Sequence, residues 1–283
     1  MVNVANLLTL RYDPDAGHHK TIRSISSQEI LNYRQASNPV PSSKEIEALL
    51  RTKVRDKIQE LGPHTLSTAI SAGIDSNVVL CLVKQEFPNM ALDCLTVSFD
   101  NEEDSKSEIR AAKGIAQSYN AEFHELDIYN PLKDLPLLIS IIKEPRWNIY
   151  QYYFIEKASR ISKVLFTGDG GDELFGGYTF RYKKFIENLP SVNSWLDRVR
   201  LYLLCHERDW VTDQESMFGA NTKFAWTDIY QILKEYFDNA LEPLEQVLLA
   251  DYHGKLMYDF IPANQRYFDY FDINGVAPLL SDG

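Results

Sequence analysis

HTLSTAISAGIDSNVVLCLVKQEF (64–87) decides the fold. Its opening, HTLSTAIS (64–71), is a short run of apolar and β-branched residues that reads as a buried strand. Its second half, NVVLCLVKQEF (77–87), carries apolar residues at helical spacing. Ser71-Ala72-Gly73-Ile74-Asp75-Ser76 joins the two, and its small residues let the backbone turn tightly.

The same alternation continues outward. ALDCLTVSF (91–99) is the next strand, SEIRAAKGIAQSY (107–119) the next helix and AEFHELDI (121–128) a third strand. Two helices are expected at about 132–143 and 149–162, then KVLFTGDG (163–170) as a fourth strand entering a glycine-rich turn. Upstream, a helix is predicted from Ser42 or Ser43, with Glu45 and Glu47 in its first turn and Gly62-Pro63 as its stop. Strand–helix alternation with short apolar strands predicts an α/β fold, a parallel sheet with helices on both faces. Ligands of such sheets lie at the carboxyl ends of the strands.

Before residue 42, Pro14, Gly17, Pro39 and Pro41 break the chain, and only LLTLRY (7–12) has the look of a short strand. Beyond about 180 the strand signal stops. Helices at 227–239 and 243–260 are expected, with a mobile-looking stretch over 206–222. The expected organisation is a lead-in over 1–41, an α/β core over 42–180 and a helical part over 181–283.

Composition narrows the function. Apolar residues make up 45% of the 283, enough for a packed core rather than a disordered chain. The net charge of −11 disfavours a nucleic-acid partner, because phosphate contacts need clustered Lys and Arg, and it disfavours an anionic membrane surface. Cys81, Cys94 and Cys205 form no C-x-x-C pair, so a reducing cytoplasm is expected rather than a disulfide framework. No stretch suits a membrane span or a leader.

The loop at 71–76 presents a helix amino terminus, Ser71 and Ser76 hydroxyls and free N–H groups, which suit a phosphate. Asp75 would repel a bare phosphate, so a Mg²⁺ between them is implied. A serine cap on an ordinary βα loop fits the composition as well. No Walker A pattern and no dinucleotide-fold glycine pattern occurs. A second motif, Thr167-Gly168-Asp169-Gly170-Gly171-Asp172-Glu173-Leu174-Phe175-Gly176-Gly177-Tyr178, sets three acidic residues among five glycines. Such crowding is costly unless a cation is shared or a proton is held. An EF-hand does not fit, since ligands at alternating positions are lacking. A solvated acidic turn remains the plain alternative.

The first loop resembles the S-G-G-x-D-S pyrophosphate loop of ATP pyrophosphatases, with Ala72 as a mild departure. The second resembles S-G-[ED]-G-[SGA]-D-E-[LV]-F-G-G-Y of the asparagine synthetase family, almost throughout. LTVSFD (95–100), SEIRAAKGIAQSYNAEFHEL (107–126), Glu144-Pro145 and LLTLRYDPDAGHHKTI (7–22) extend the likeness over most of 7–180, and more weakly over 243–281. The resemblance implies an adenine nucleotide alpha hydrolase-like fold and ATP across the strand ends. Ile70 and Val97 would border the adenosine, with Thr167 and Gly168 approaching from the fourth strand. Ser71, Gly73 and Ser76 would hold the pyrophosphate, and Asp75 and Asp172 would bind Mg²⁺. The two bends would then converge on one magnesium–triphosphate cradle. Asp169 stands where many relatives carry a Glu near the acceptor, one methylene longer. The implied chemistry is adenylation of a carboxylate, aspartate for asparagine synthesis, followed by attack of ammonia. Asp169 and Asp172 are the expected catalytic pair.

There are departures. Val2 follows Met1 where glutamine-using relatives carry a nucleophilic Cys, so ammonia is expected free, from a glutaminase partner or from a missing domain. Gln265-Arg266 and Pro278-Leu279-Leu280 align with the ends of D-R-x-x-M…E-x-R-x-P-[FL]-L-D, but Asn274 and Val276 replace its acidic residue and its arginine. Gly283 precedes the helices that carry a catalytic Lys in relatives, so a short carboxyl end is expected. Lys255 reads as a solvated surface lysine, and His18, His19, His64, His124, His206 and His253 show no metal-ligand spacing. YQYYFIEK (150–157) and RYFDYF (266–271) read as core rather than as base-stacking platforms. Two other readings stay open: a β-lactam synthetase-like or other acid–amide ligase, and an inactive nucleotide-binding paralogue or subunit. The sequence carries no sign of oligomeric state.

Overall fold

The computed structural model describes residues 3–15, 22–36, 39–99, 103–144, 150–189, 194–206, 214–218, 222 and 224–280. Two short helices lead, α1 (Val4–Leu10) and α2 (Ser27–Gln35), followed by the long α3 (Ser43–Leu61). Then come β1 (Thr65–Ala69), α4 (Ile74–Glu86), β2 (Ala91–Phe99), α5 (Glu103–Ser118) and β3 (Glu122–Ile128). After α6 (Pro131–Ile142) and α7 (Gln151–Ile161) the chain returns to strand at β4 (Val164–Phe166). Six helices follow: α8 (Gly171–Phe175), α9 (Thr179–Asn188), α10 (Trp195–Cys205), α11 (Gln214–Met217), α12 (Trp226–Phe237) and α13 (Pro243–Asp251). A π-helical segment, Tyr252–Phe260, runs into α14 (Ile261–Phe271), and β5 (Asn274–Val276) comes last among the strands. Contacts divide the chain into two compact units, residues 40–170 with 263–283, and residues 1–39 with 171–262.

The first of these units is the expected parallel α/β layer. Its five strands run in the order β3-β2-β1-β4-β5, every neighbouring pair parallel. The chain winds outward from β1 through β2 to the edge strand β3, then crosses back to lay β4 on the other side of β1. That reversal makes the β1–β4 junction a switch point, the place at the strand ends where open α/β sheets bind ligands. Right-handed crossovers require the reversal to change faces. Accordingly α3, α4 and α5 pack on one face through Val54, Ile58, Val79, Val83, Ala112 and Ala116. On the other face α6, α7 and α14 pack through Leu138, Ile142, Ile155, Ala158, Tyr267 and Phe268. Val164 and Phe166 of β4 face the first layer and Leu165 the second, which is why a three-residue strand is apolar throughout.

Local signals placed these elements well. Ser42 and Glu45 form the reciprocal cap of α3, and Gly62 ends it in the left-handed region at φ 55°. The strand expected over 163–170 is confined to Val164–Phe166, because the chain leaves the sheet at its glycines. The strand β5 lies where only helices were expected. It is three residues long and contains Asn274-Gly275, and it exists because Asn274 N–H donates to Lys163 O and Thr167 N–H to Val276 O, both at 2.9 Å.

The second unit is helical among its described residues, with a core built from Tyr182, Phe185, Val199, Leu203, Leu233, Phe237 and Val247. LLTLRY, expected as strand, belongs to helix α1 and the turn after it. Asn3 caps that helix, Asn6 Nδ2 donates to Asp13 Oδ1 at 2.9 Å, and Leu7 and Leu10 are buried at helical spacing. A short apolar run does not by itself separate strand from helix. Of the stretch expected to be mobile, 207–213 and 219–221 lie outside the described residues, as do His18, His19 and Pro145. Among the described residues no helix is long and apolar enough to cross a membrane, and no disulfide joins the three cysteines.

Candidate active site

The loop after β1 is wired by its own hydroxyls. Ser71 N–H donates to Ser76 Oγ at 3.1 Å, Gly73 N–H donates to Ser71 Oγ at 3.1 Å, and the two hydroxyls lie 3.2 Å apart. Asn77 Nδ2 donates to Gly73 O at 2.6 Å and closes the turn. The residue that caps α4 is Gly73, and no side chain caps the helix. The serine-cap reading therefore does not describe this loop. An uncapped first turn instead leaves N–H groups and the positive end of the dipole for an anion. Asp75 lies in that turn, partly exposed, and Ile74 beside it is 76% exposed.

The loop after β4 meets this turn. A Cβ added at Gly168 would come 2.7 Å from Ser76 N and 2.9 Å from Asp75 C, so only glycine permits the approach. Thr167 is 4% exposed, and its Oγ1 donates to Asp169 Oδ2 at 2.9 Å. Burial pushes the Asp169 carboxyl above the usual carboxylate range, opposed by hydrogen bonds from Thr167 and Asn264. Gly170 has φ 95°, and a Cβ there would overlap Leu280. Ser71, Gly73, Asp75, Ser76, Thr167, Gly168 and Asp169 thus gather at the carboxyl ends of β1 and β4. Ile70 and Val97 sit at neighbouring strand ends but on opposite faces. Ile70 is 3% exposed within the α3–α5 layer, whereas Val97 is partly buried against the α6–α7 layer.

Asp172 and Glu173 belong to the helical unit, in α8. The Gly176-Gly177 turn wraps Asp172: both N–H groups donate to Asp172 O, at 3.0 and 2.9 Å. A Cβ on Gly177 would overlap the Asp172 carboxylate. Glu173 is buried and accepts from Tyr178 OH at 2.8 Å. Lys255, expected on the surface, is instead largely buried. Its Nζ is 3.4 Å from Glu173 Oε1 and 3.4 Å from the Tyr178 ring centroid. Burial lowers its pKa, with Glu173 and Asp251 pulling the other way. Beneath it Asp251 accepts from Tyr202 OH at 2.7 Å, Tyr182 OH at 3.0 Å and His206 Nε2 at 3.1 Å.

Pairings distant in sequence also appear. Arg266 reaches Glu144 at 3.8 Å, joining the Gln265-Arg266 and Glu144-Pro145 signals through their described members. His124 Nε2 lies 2.6 Å from Asp93 Oδ1 and 4.0 Å from Glu122 Oε1. The three form a cross-strand group that linear spacing does not reveal, because Asp93 and Glu122 are register partners.

Fold and site together define an open parallel α/β protein with an anion-ready loop at its switch point. A family model, asparagine synthase, matches residues 45–282. The chain belongs to the asparagine synthase family. It is similar to asparagine synthetase [glutamine-hydrolyzing] 1 of Bacillus subtilis (strain 168), at 26% identity over 202 residues, 67% of this chain and 31% of that protein. It is also similar to an asparagine synthetase domain-containing protein of Saccharomyces cerevisiae, at 25% identity over 199 residues, 54% of this chain and 37% of that protein. The chain thus spans about a third of the length of these relatives. Among solved structures, NMN synthetase from Francisella tularensis aligns at TM-score 0.39 and 18% identity, over 77% of this chain and 95% of that one.

Proposed function

We propose that this protein is an ATP-dependent ligase that adenylates a carboxylate, releases pyrophosphate and passes the acyl group to ammonia, with aspartate as acceptor and asparagine as product. The observation that supports the reading is the close approach of Gly168 to the Ser76 amide, between the loops that follow β1 and β4. In this reading Ser71, Gly73 and Ser76 hold the pyrophosphate, since the uncapped turn of α4 stabilises the charge that builds on it. Thr167, Gly168, Ile70 and Val97 border the adenosine. Asp169 acts at the acyl centre.

A divalent cation of the Mg²⁺ type takes oxygen ligands. By donor type each carboxylate suits such an ion, Asp75 in the first turn of α4 and, within its own unit, Asp172 in the Gly176-Gly177 wrap. Bound with ATP, Mg²⁺ would neutralise phosphate charge. The rest is the work of the chain: Ser71 and Ser76 position phosphate oxygens, and the glycines admit the nucleotide backbone-close.

The test is turnover with ATP, Mg²⁺, aspartate and ammonium, with glutamine as the alternative donor. AMP and pyrophosphate should appear together with asparagine. Hydrolysis to ADP, or no reaction with any acid, would sink the reading.

A second reading, the same adenylation on another acid, draws support from Val276. It occupies the place of the family's arginine, is 7% exposed and packs in the apolar layer, so it offers no charge to a substrate carboxylate. AMP formation across a panel of amino acids separates the two.

A further inference from the structure

The strands β2 and β3 carry a polar group at their amino-terminal ends, away from the loops that follow β1 and β4. Leu95 of β2 packs in the α6–α7 layer, and strand alternation sets Asp93, two residues earlier, on the same face. Register places Glu122 beside Asp93 and His124 beside Leu95. His124 Nε2 is thereby 2.6 Å from Asp93 Oδ1 and 4.0 Å from Glu122 Oε1. One donor atom from each of the three lies within 4.8 Å of the other two. The side chains of His124 and Asp93 are 19% and 14% exposed and make a fixed floor, whereas that of Glu122 is 76% exposed and free to turn.

The group is short of positive charge. Two carboxylates on neighbouring strands share one imidazole, and like charges this close repel unless a cation lies between them. Among the described residues no Lys or Arg pairs with either carboxylate, and a protonated His124 would offset only one of them. A tetrahedral Zn²⁺ with bonds of about 2.0–2.2 Å holds its ligand atoms roughly 3.3 Å apart. The separations of 2.6 and 4.0 Å bracket that value, so small side-chain rotations bring the three atoms onto one ion. One nitrogen with two oxygens suits an ion of the Zn²⁺ kind, while Mg²⁺ favours oxygen alone.

We propose that Asp93, Glu122 and His124 form a site for a Zn²⁺-class ion, with water as the fourth ligand. The ion would pin the edge strand β3 to β2. The stretch from Asp93 to Phe99, at about 3.3 Å per residue, spans roughly 20 Å, so the site stands apart from the strand ends assigned to the nucleotide. Its role is structural and independent of the ligase reading.

The test is calorimetric titration of the chain with Zn²⁺ in the presence of excess Mg²⁺. Cys81, which is not fully buried, is replaced by Ser in every sample so that its thiolate cannot bind the ion. The expected result is one Zn²⁺ per chain, with affinity lowered roughly tenfold or more by His124→Ala and by Glu122→Ala. Zn²⁺ should raise the unfolding temperature of the parent and leave that of His124→Ala unmoved, because only a ligand bound by the folded state stabilises it. Co²⁺ in its place should give the visible absorption of a four-coordinate site, without a thiolate charge-transfer band. Should His124→Ala fail to fold, Glu122→Ala, a change at an exposed side chain, decides the matter by the same ratio. Absence of Zn²⁺ binding to the parent, or an affinity unchanged in a folded variant, overturns the site.

Discussion

Gly168 faces the backbone nitrogen of Ser76 so closely that a methyl group there would sit 2.7 Å from it. The neighbour is backbone, held in the first turn of α4, and has no flexible end to swing aside. Gly168→Ala should therefore push the β4 loop off the α4 turn. We expect a stability loss of about 1–3 kcal/mol, typical of overpacking. ATP–pyrophosphate exchange should fall by more than that loss explains. Urea denaturation and exchange on one preparation check it, and full exchange in the variant would refute a nucleotide site shared by the two loops.

Asp75 and Asp172 are proposed as cation ligands. Asp75→Asn and Asp172→Asn should each raise the Mg²⁺ concentration needed for half-maximal pyrophosphate release, by roughly tenfold or more, since a carboxylate becomes a neutral amide. Excess chelator should stop release in the wild type. A Mg²⁺ dependence unchanged in either variant would remove that residue from the assignment.

Lys255 and Glu173 are buried together, with Tyr178 over the ammonium group. Lys255→Met should leave Glu173 without its cation and destabilise the protein by about 3–5 kcal/mol. Lys255→Met with Glu173→Gln should recover a substantial part of that, because the uncompensated charge is gone. Chemical denaturation of the two single variants and the double variant measures the coupling. Equal stability of the Lys255→Met single and double variants would contradict the pairing.

Alkaline pH should weaken the fold. Burial, with Asp251 and Glu173 nearby, holds the Tyr178 and Tyr182 phenols well above their ordinary range, and burial does the same to Tyr236. Burial pushes the Cys94 thiol up to about 12. The unfolded chain ionises these groups at about 8.5 for Cys and about 10 for Tyr, while the folded chain keeps the protons. Protons bound in the unfolded state are then fewer, so stability falls as pH rises from about 8.5. Denaturation midpoints from pH 7 to 11 should decline, with a steeper slope above 10. Tyr182→Phe should lessen the slope at high pH, and an unchanged slope would show that this phenol is not among the groups responsible.

Much of this was legible in order along the chain. The caps at Ser42 and Gly62, the apolar strands β1 and β2 and the glycine pattern at 167–178 all act through neighbours within a few residues, so linear spacing exposes them. Other features depend on partners far away. Nothing around Asn264 marks it, because its partner Asp169 lies 95 residues earlier. Lys255 reads as solvated, because the Glu173 and Tyr178 that bury it belong to another motif. His124 shows no metal-like spacing, because Asp93 reaches it only through strand register.

The sequence by itself determined the alternating α/β layer, the two loops and the family, since propensity, capping and turn chemistry are local. Tertiary structure alone decided that 7–12 lies in a helix and the turn after it rather than a strand, that Asn274–Val276 is a strand, and that Asn264 and Lys255 are interior groups. In each case the choice was made by burial and by hydrogen bonds to distant residues. Those terms exist only once the chain has closed on itself.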